Sequence, residues 1–295
     1  MEKVSRRARI CSAARQLLAA LTVFVPGHFV QAAPAPLSSV VFWYAANPPL
    51  SQLARFDWAV VEPGHLSAAD VQVLRSEGGL PFAYLSVGEF HGGKAELDAA
   101  ALSAAVSPVR NAAWNSQVMN LESPLWREHL LSRAQSLRAQ GYAGVFLDTL
   151  DSFQLLPQAQ REAQRLALVG LLREMRQRQP GLKLFFNRGF EVLRDLQGVA
   201  AAVAVESIHA GWDASGQRYR AVPEADRQWL ESQLQPLRAQ GIPLIAIDYL
   251  PPERRKEARL LVKRLRAEGF VPYIATPDLG SLGISSLDVS QEGAQ

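Results

Sequence analysis

The sequence of 295 residues predicts an α/β fold, a single (β/α)8 barrel, from three observations: a repeated motif, the apolar runs that follow it, and their number. The motif Leu-Arg-x-x-Gly recurs at residues 74–78, 137–141, 237–241 and 265–269. Arginine suits the negative end of a helix, and glycine tolerates the left-handed conformation that often follows a helix. Each copy therefore predicts the end of a helix.

An apolar run follows each copy, and the complete set of runs predicts eight strands, at residues 40–44, 58–61, 82–87, 144–148, 182–187, 201–206, 244–248 and 271–275. Continuous apolar strands that alternate with helices indicate a parallel sheet covered on both faces. Eight such units in about 260 residues match the size of a TIM barrel. A doubly wound open sheet is the structural alternative, but no glycine-rich phosphate loop follows the first strand, which counts against a Rossmann fold.

Three segments do not fit the minimal repeat. Residues 89–123 follow the third strand and contain a possible short strand at 118–121, whereas residues 208–223 follow the sixth strand and are rich in Gly, Trp, Tyr and Arg. Both should emerge at the C-terminal face of the barrel, where barrel enzymes build their sites. The tail beyond Asp278 has little periodicity and is expected to be a final cap or partly disordered.

Residues 1–33 predict a signal peptide, followed by a barrel domain over residues 34–295. Five Lys/Arg residues form a positive start, residues 17–25 an apolar stretch, and Ala32 and Ala33 a small-residue cleavage region. The apolar stretch is short for a bilayer span, which argues against stable membrane insertion after cleavage. We therefore expect a periplasmic or secreted protein.

Charge and cysteine usage narrow the function classes. The net charge of +3 comes largely from residues 1–33, and without them 26 basic and 27 acidic residues remain, which gives −1. Nucleic-acid binding then loses its main support, because no basic excess remains for phosphates. The only cysteine, Cys11, lies in the signal, so the mature chain has no disulfide and no thiolate metal site. Export without disulfides fits a bacterial periplasm.

Polar residues at the C-terminal ends of barrel strands are the first candidates for chemistry. Residues just before the strands are Gly, Pro or small, whereas carboxylates follow most of them. In chain order the polar strand ends are Tyr44, Glu62, Glu89, Asp148, Asp151, Asn187, Glu206, Asp248, Tyr249 and Asp278. This asymmetry predicts a functional site at one end of the barrel.

Asp148 and Glu206 each end an apolar run, and burying a lone carboxylate is costly unless it has a role. Each acid also has a structural alternative to a catalytic role. Asp148 could cap the next helix, and Glu206 could form a salt bridge with Arg188 or Arg218. The fourth and sixth strands are separated by one strand, so inward side chains from both can converge. Two converging carboxylates suit glycoside cleavage, in which one acid attacks or stabilises the oxocarbenium-like centre and the other protonates the leaving oxygen.

Aromatic residues near the strand ends offer stacking faces for sugar rings, although packing is the commoner role of any single one: Trp43, Tyr44, Trp114, Trp212 and Tyr249. We predict Asp148 and Glu206 as the catalytic pair. Nine surrounding residues are predicted to contact the substrate: Tyr44, Glu62, Ser86, Glu89, Asp151, Asn187, Trp212, Asp248 and Tyr249.

Other reaction types find less support. The sequence has no Gly-x-Ser-x-Gly elbow of a serine hydrolase and no His-Glu-x-x-His of a metalloprotease. His65, His91 and His209 follow strands without metal-ligand spacing, which leaves a scattered metal site as an open alternative. His129 is predicted to be a surface residue of a helix. We predict neither a metal nor a cofactor.

Four stretches carry a resemblance to a known family: residues 83–89 (Ala-Tyr-Leu-Ser-Val-Gly-Glu), 141–149, 186–191 (Phe-Asn-Arg-Gly-Phe-Glu) and 205–207 (Val-Glu-Ser). From about Val40 to Asp278, the chain resembles the endo-α-1,4-polygalactosaminidases of glycoside hydrolase family 114. The resemblance implies a TIM barrel that hydrolyses α-1,4 linkages in galactosamine-rich polymers without a cofactor. It also places the catalytic pair at Asp148 and Glu206.

The resemblance further implies retention of anomeric configuration. By analogy with other retaining α-glycosidases, Asp148 is expected to be the nucleophile and Glu206 the acid/base, and the reverse assignment stays open. The expected partner is a galactosamine-containing polysaccharide. Two competing hypotheses are a non-catalytic periplasmic carbohydrate-binding barrel that serves an exopolysaccharide export machinery, and a metal-assisted barrel hydrolase.

Overall fold

The predicted strands are present in the computed structural model, which describes residues 36–290. The predicted signal peptide lies outside these described residues. Within them the strands are β1 (Val40–Trp43), β2 (Trp58–Val61), β3 (Leu80–Ser86), β4 (Glu89–Phe90), β5 (Val106–Asn111), β6 (Ser116–Met119), β7 (Gly144–Asp148), β8 (Lys183–Asn187), β9 (Ala200–Glu206), β10 (Ala210–Asp213), β11 (Arg218–Ala221), β12 (Leu244–Tyr249), β13 (Val271–Ala275) and β14 (Ile284–Ser285).

Helices alternate with the parallel strands. Over the same part of the chain they are α1 (Leu50–Leu53), α2 (Ala68–Ser76), α3 (Lys94–Ala99), α4 (Pro124–Ala139), α5 (Gln158–Arg178), α6 (Phe190–Leu193), α7 (Glu224–Ala239), α8 (Arg255–Ala267) and α9 (Ser286–Ser290). Short 3-10 turns cover Pro63–His65, Ser103–Ala105 and Ser152–Leu155. Each long helix thus covers the outer face of the parallel sheet between two strands.

The main sheet has the order β1-β2-β3-β7-β8-β9-β12-β13-β14. Its first eight strands are all parallel, and β14 pairs antiparallel with β13. Near the closure the Tyr273 hydroxyl of β13 donates to the Phe42 carbonyl of β1 at 3.2 Å. The strands follow chain order without the reversal of a doubly wound sheet, so that alternative is wrong. The predicted α/β fold, a (β/α)8 TIM barrel, is confirmed.

The Leu-Arg-x-x-Gly motif ends four helices, as predicted. Its glycines have positive φ values of 100° at Gly78, 101° at Gly141, 68° at Gly241 and 84° at Gly269. The arginines also bond to the next unit: Arg75 donates to the Gly141 carbonyl at 2.7 Å, and Arg238 to the Glu268 carbonyl at 3.0 Å. In these two copies the arginine therefore ties the end of its helix to the segment just before the strand of the neighbouring unit.

Aromatic rings fill the interior of the barrel. The rings lie 4.4 to 6.2 Å apart, in edge-on and tilted contacts that aromatic pairs prefer, and belong to Phe42, Trp58, Phe82, Phe146, Phe185 and Tyr273. Side chains two residues apart on a strand share a face. Phe146 therefore lies beneath Asp148, and Phe185 beneath Asn187. This aromatic layer gives the C-terminal end of the barrel an apolar floor.

Replacing Gly144 with alanine should destabilise the barrel, because the new Cβ would lie 2.3 Å from a Phe82 ring carbon and 2.5 Å from the Lys183 carbonyl oxygen. Overpacking of this kind costs about 1–3 kcal/mol and lowers the melting temperature by several degrees. Gly170→Ala in α5 is the control, since its Cβ would find the nearest neighbouring atom 3.7 Å away, on Arg127. Thermal unfolding measures both. An unchanged melting temperature for Gly144→Ala would contradict the packing described.

The segments outside the minimal repeat form small antiparallel units at the C-terminal face. Residues 89–123 contain the sheet β4-β6-β5 and the helix α3. The predicted strand at 118–121 is β6, which begins two residues earlier. Residues 208–223 contain the hairpin β10–β11. Beyond Asp278, β14 and α9 form the expected cap up to residue 290.

Candidate active site

Asp148 and Glu206 converge on one amide. Asp148 ends β7 and Glu206 ends β9, and the intervening β8 ends at Asn187. The Nδ2 atom of Asn187 donates to Asp148 Oδ1 and to Glu206 Oε1, at 2.8 Å in each case. The two acceptor oxygens are therefore at most about 5.6 Å apart, the sum of the two bonds. The structure thus brings together the predicted pair and the predicted Asn187.

Two tyrosines supply the remaining donors of the pair. Tyr84 donates to Asp148 Oδ2 at 2.9 Å, and Tyr249 donates to Glu206 Oε2 at 2.6 Å. Tyr44 packs edge-on against the Tyr84 ring at 5.2 Å. Burial, and after it the nearby carboxylates, raises the pKa of all three hydroxyls above the ordinary value. All three hydroxyls therefore stay protonated at neutral pH, and those of Tyr84 and Tyr249 donate to the pair.

The pKa of Asp148 is raised above its ordinary value. Burial over the aromatic layer is the main cause, and the negative charge of Glu206 adds to it. Hydrogen bonds from Asn187, from the Thr149 backbone and from Tyr84 oppose the shift by favouring the ionised form. The raised pKa of Asp148 therefore reflects both its buried position and the second carboxyl group beside it.

The residue after each of these three strand ends has a left-handed backbone. The φ values are 61° at Thr149, 53° at Arg188 and 62° at Ser207. A side chain disfavours this region, and a β-branched residue such as threonine does so most strongly. Backbone conformations of this kind persist where the surroundings hold them, and they are concentrated at functional sites. Here they let the chain turn away sharply after a site residue.

The contacts of Thr149 hold its unusual conformation. Its hydroxyl oxygen accepts hydrogen bonds from the backbone of Val87 at 3.1 Å and of Gly88 at 2.9 Å. The Ser86 hydroxyl lies 3.0 Å from the same oxygen and donates to the Glu89 carbonyl at 2.7 Å. Ser86, predicted to contact substrate, therefore joins the turn after β3 to the turn after β7.

The structure corrects the prediction for Glu89. This side chain is only 2% exposed, and both of its carboxylate oxygens accept from protein donors. Asn111 and Ser152 donate to Oε1, and Ser116 donates to Oε2. Because its oxygens are buried and occupied, Glu89 anchors the β4-β6-β5 sheet instead of binding substrate.

The prediction for Asp248 needs the same correction. Its side chain is fully buried and accepts from three successive backbone amides, of Ile208 at 2.5 Å, His209 at 2.9 Å and Ala210 at 3.0 Å. These amides belong to the loop that directly follows Glu206. Asp248 therefore fixes this loop from outside the barrel wall, while its neighbour Tyr249 points inward to the pair.

Asp248→Ala should lower the free energy of unfolding by about 3 kcal/mol, because it leaves three backbone amides, two of them buried, without their acceptor. Asp70→Ala is the matched control, since Asp70 serves only the capping box of α2 with Ser67. A loss of that kind costs about 1 kcal/mol. Urea denaturation compares the two variants. Equal losses would contradict the role assigned to Asp248.

The other predicted residues lie around the same end of the barrel. Glu62 follows β2 and is partly exposed, and Asp151 is exposed in the turn after β7. Trp212 lies on β10, where its ring meets the ring of Tyr219 edge-on at 4.9 Å. These side chains surround the pair as a rim, with surface available to a ligand.

Sequence reasoning missed Tyr84 as a site residue, and the salt bridges to Arg188 or Arg218 that it left open for Glu206 are not formed. Tyr84 lies between Phe82 and Ser86 on the inward face of β3, and this alternation was the signal that could have found it. Arg188 donates to the main-chain oxygen of Glu206 at 3.0 Å, whereas Arg218 pairs with Asp213. Neither arginine therefore forms a salt bridge with the Glu206 carboxylate.

The histidines of the described chain do not gather at a metal site. Within residues 36–290, no three His, Cys, Asp or Glu side chains lie where they could hold a metal ion together. His209 contacts Glu268 at 2.7 Å. His129 is half-buried and stacks on Trp126 at 5.2 Å, so the prediction of a plain surface residue was wrong. No helix within residues 36–290 has the length and apolar character needed to cross a bilayer.

Comparison with known proteins places this barrel in a family. The model of glycoside hydrolase family GH114 matches residues 30–291. The glycoside hydrolase domain of PelA from Pseudomonas aeruginosa is 62% identical, with a TM-score of 0.82 over 84% of this chain and 98% of that one. A glutamate-to-alanine variant of that domain matches with 61% identity and the same TM-score and coverage.

A more distant structure shares the fold. Aspergillus fumigatus Ega3, in complex with galactosamine, is 13% identical, with a TM-score of 0.61 over 85% of this chain and 96% of that one. A search of curated proteins gives no match. The family match covers most of the chain and agrees with the high identity to the PelA domain. The chain therefore belongs to glycoside hydrolase family GH114 and is a glycoside hydrolase.

Proposed function

We propose that this enzyme is an endo-acting hydrolase that cleaves α-1,4 linkages in a polysaccharide rich in galactosamine and N-acetylgalactosamine. The observation that carries the proposal is the pair Asp148 and Glu206, held together by Asn187 above an apolar floor. Membership in family GH114 supports the reaction class. The galactosamine bound by Ega3, which shares the fold, supports the sugar.

The spacing of the pair supports retention of anomeric configuration. Retaining enzymes hold their carboxyl groups about 5–5.5 Å apart, and inverting enzymes hold them about 6.5–9.5 Å apart to admit a water molecule. The shared Asn187 amide limits the facing oxygens to at most about 5.6 Å. A short separation of the facing oxygens is in keeping with the closer spacing of a retaining pair and supports the proposal of retention.

In the proposed mechanism Asp148 attacks the anomeric carbon while Glu206 gives its proton to the glycosidic oxygen, which leaves with the released chain. Glu206, now ionised, then takes a proton from water, and this water cleaves the bond between sugar and Asp148. Asn187 fixes the position of the two carboxyl groups relative to each other by donating to both. Tyr84 stabilises the charge of Asp148, and Tyr249 orients Glu206.

We also propose that the enzyme acts in the periplasm or outside the cell. The predicted signal peptide at residues 1–33 supports this location. We further propose that its partner at this location is an exopolysaccharide export machinery, because such a machinery handles the same class of polymer. Co-purification of tagged protein from the periplasm with polysaccharide-export components tests the partnership.

The direct test uses partially deacetylated α-1,4-linked N-acetylgalactosamine oligomers, with products followed by mass spectrometry. Wild-type protein should release shorter oligomers, and Asp148→Ala and Glu206→Ala should each lose orders of magnitude in rate. Binding without cleavage by wild type would favour a carbohydrate-binding barrel. Cleavage that survives both substitutions would mean that the pair is not the catalytic site.

Tyr84→Phe should shift the acidic limb of the kcat/KM profile to higher pH. The Tyr84 hydroxyl lowers the pKa of Asp148 by bonding to its ionised form, so its removal raises that pKa further. A nucleophile must be ionised, and activity is therefore lost earlier as the pH falls. Tyr142→Phe, before the opposite end of β7, is the control. A limb that stays in place or moves to lower pH would contradict the assignment.

A further inference from the structure

A tryptophan at the tip of the β5–β6 hairpin is the most exposed aromatic side chain that the structure describes. Trp114 is 63% exposed and lies in the four-residue turn between Asn111 and Ser116. Burial of an aromatic ring is favourable, so a ligand that covers this exposed ring gains binding free energy. This ring has no role in the mechanism described above.

Side-chain hydrogen bonds fix the shape of the tip. Arg110 donates to the carbonyl oxygen of Asn115 at 3.0 Å and to its side-chain oxygen at 2.9 Å. The Asn111 side chain accepts from the backbone of Ala113 at 3.2 Å. Contacts on both sides of Trp114 therefore hold the turn, and a ligand would meet a preorganised backbone at the position that carries the ring.

The same hairpin is anchored to the catalytic end of the barrel. Asn111 and Ser116, the two residues that close the hairpin, donate to the buried Glu89 carboxylate. Glu89 follows Ser86, which is the register partner of Asp148 across β3 and β7. Hydrogen bonds to a buried, charged carboxylate are strong, so they hold the hairpin in place on the barrel. The ring is thus presented at the face from which Asp148 and Glu206 act.

The chemistry of the tip suits a sugar ring better than a protein surface. Trp114 offers a broad apolar face, which can cover the C–H groups on one side of a pyranose ring. Its neighbours are the small Ala112 and Ala113 and the polar Asn115. A specific protein–protein interface normally buries a far larger area than one side chain offers.

We propose that Trp114 is a stacking platform for the polysaccharide outside the catalytic cleft, where it holds a part of the chain distant from the scissile bond. This inference rests on the proposed function, since the ligand is the polymer that the enzyme would cleave. The contribution of such a platform to substrate binding increases with the length of the polysaccharide, because only long polysaccharides reach both the catalytic pair and the hairpin.

The test compares Trp114→Ala with Trp229→Ala. Trp229 is also exposed, at 52%, but lies on the outer helix α7 against Phe190. We expect the loss of kcat/KM in Trp114→Ala to grow with chain length and to reach about tenfold on the polymer. Trp229→Ala should match wild type at every length. An equal loss at all lengths, or no loss on the polymer, would overturn the platform.

A binding measurement separates this inference from the proposed function. In a Glu206→Gln background, the dissociation constant for the same partially deacetylated polymer is measured by isothermal titration calorimetry, with and without Trp114→Ala. Binding that is about tenfold weaker with Trp114→Ala supports the platform, even if wild type cleaves none of the oligomers. Such a lack of cleavage would reject the proposed function but not the platform. Equal affinities overturn the platform even if cleavage is confirmed.

Discussion

Glu206→Gln should lower kcat on the polysaccharide by about 1,000-fold, because glutamine cannot give a proton to the leaving oxygen. Glutamine keeps the shape of the side chain: its carbonyl oxygen can still accept from Asn187, and its amide nitrogen can donate to the Tyr249 hydroxyl oxygen. The loss should be much smaller in the first chemical step on an aryl α-galactosaminide with a good leaving group, which needs no proton. Pre-steady-state kinetics on the two substrates measure this difference.

The matched control for this variant is Glu253→Gln. Glu253 is an exposed glutamate in the loop after β12, on the same end of the barrel. It should keep nearly wild-type kinetics on both substrates. If Glu206→Gln lost the same factor on the activated and the natural substrate, Glu206 would not be the proton donor.

Asp148→Asn should lower kcat by about 10,000-fold on every substrate, because the amide cannot attack the anomeric carbon. The amide oxygen can still accept from Asn187, and the amide nitrogen can donate to Tyr84, whose hydroxyl also acts as an acceptor. The fold should therefore survive, which circular dichroism and thermal unfolding check. The defect is chemical and does not depend on the leaving group.

Added azide distinguishes the two roles. In Asp148→Ala a small anion can fill the space left by the missing carboxylate and attack directly, which yields a glycosyl azide of inverted configuration. In Glu206→Gln azide attacks the intermediate held on Asp148, which yields a glycosyl azide of retained configuration. Exchange of these two outcomes between the variants would reverse the assignment of nucleophile and acid/base.

The eight barrel strands could be predicted because each is an apolar run bounded by clear local signals. The Leu-Arg-x-x-Gly motif marks helix ends without reference to the rest of the chain, as at Gly141 and Gly241. Asp148 and Glu206 were similarly visible, since each interrupts an apolar run at its last residue. Local sequence patterns were therefore sufficient to predict the barrel architecture and the positions of Asp148 and Glu206.

The orientation of a strand-end side chain is where sequence reasoning went wrong. All six residues of β12 are buried, so its pattern does not tell which face Asp248 and Tyr249 occupy. The partners of Glu89 lie 22 to 63 residues away along the chain, and no local pattern brings them together. Both carboxylates thus resemble ligand-binding acids in the sequence and serve as anchors in the fold.

The anomeric configuration of the first product tests the central claim most directly. Wild-type enzyme is mixed with an α-1,4-linked oligomer, and proton NMR follows the new reducing end before it mutarotates. The account predicts that the α-anomer forms first, because two carboxyl groups joined by one Asn187 amide fit a retaining double displacement. A β-anomer formed first would show inversion and would contradict the role that the account gives to Asp148 and Glu206.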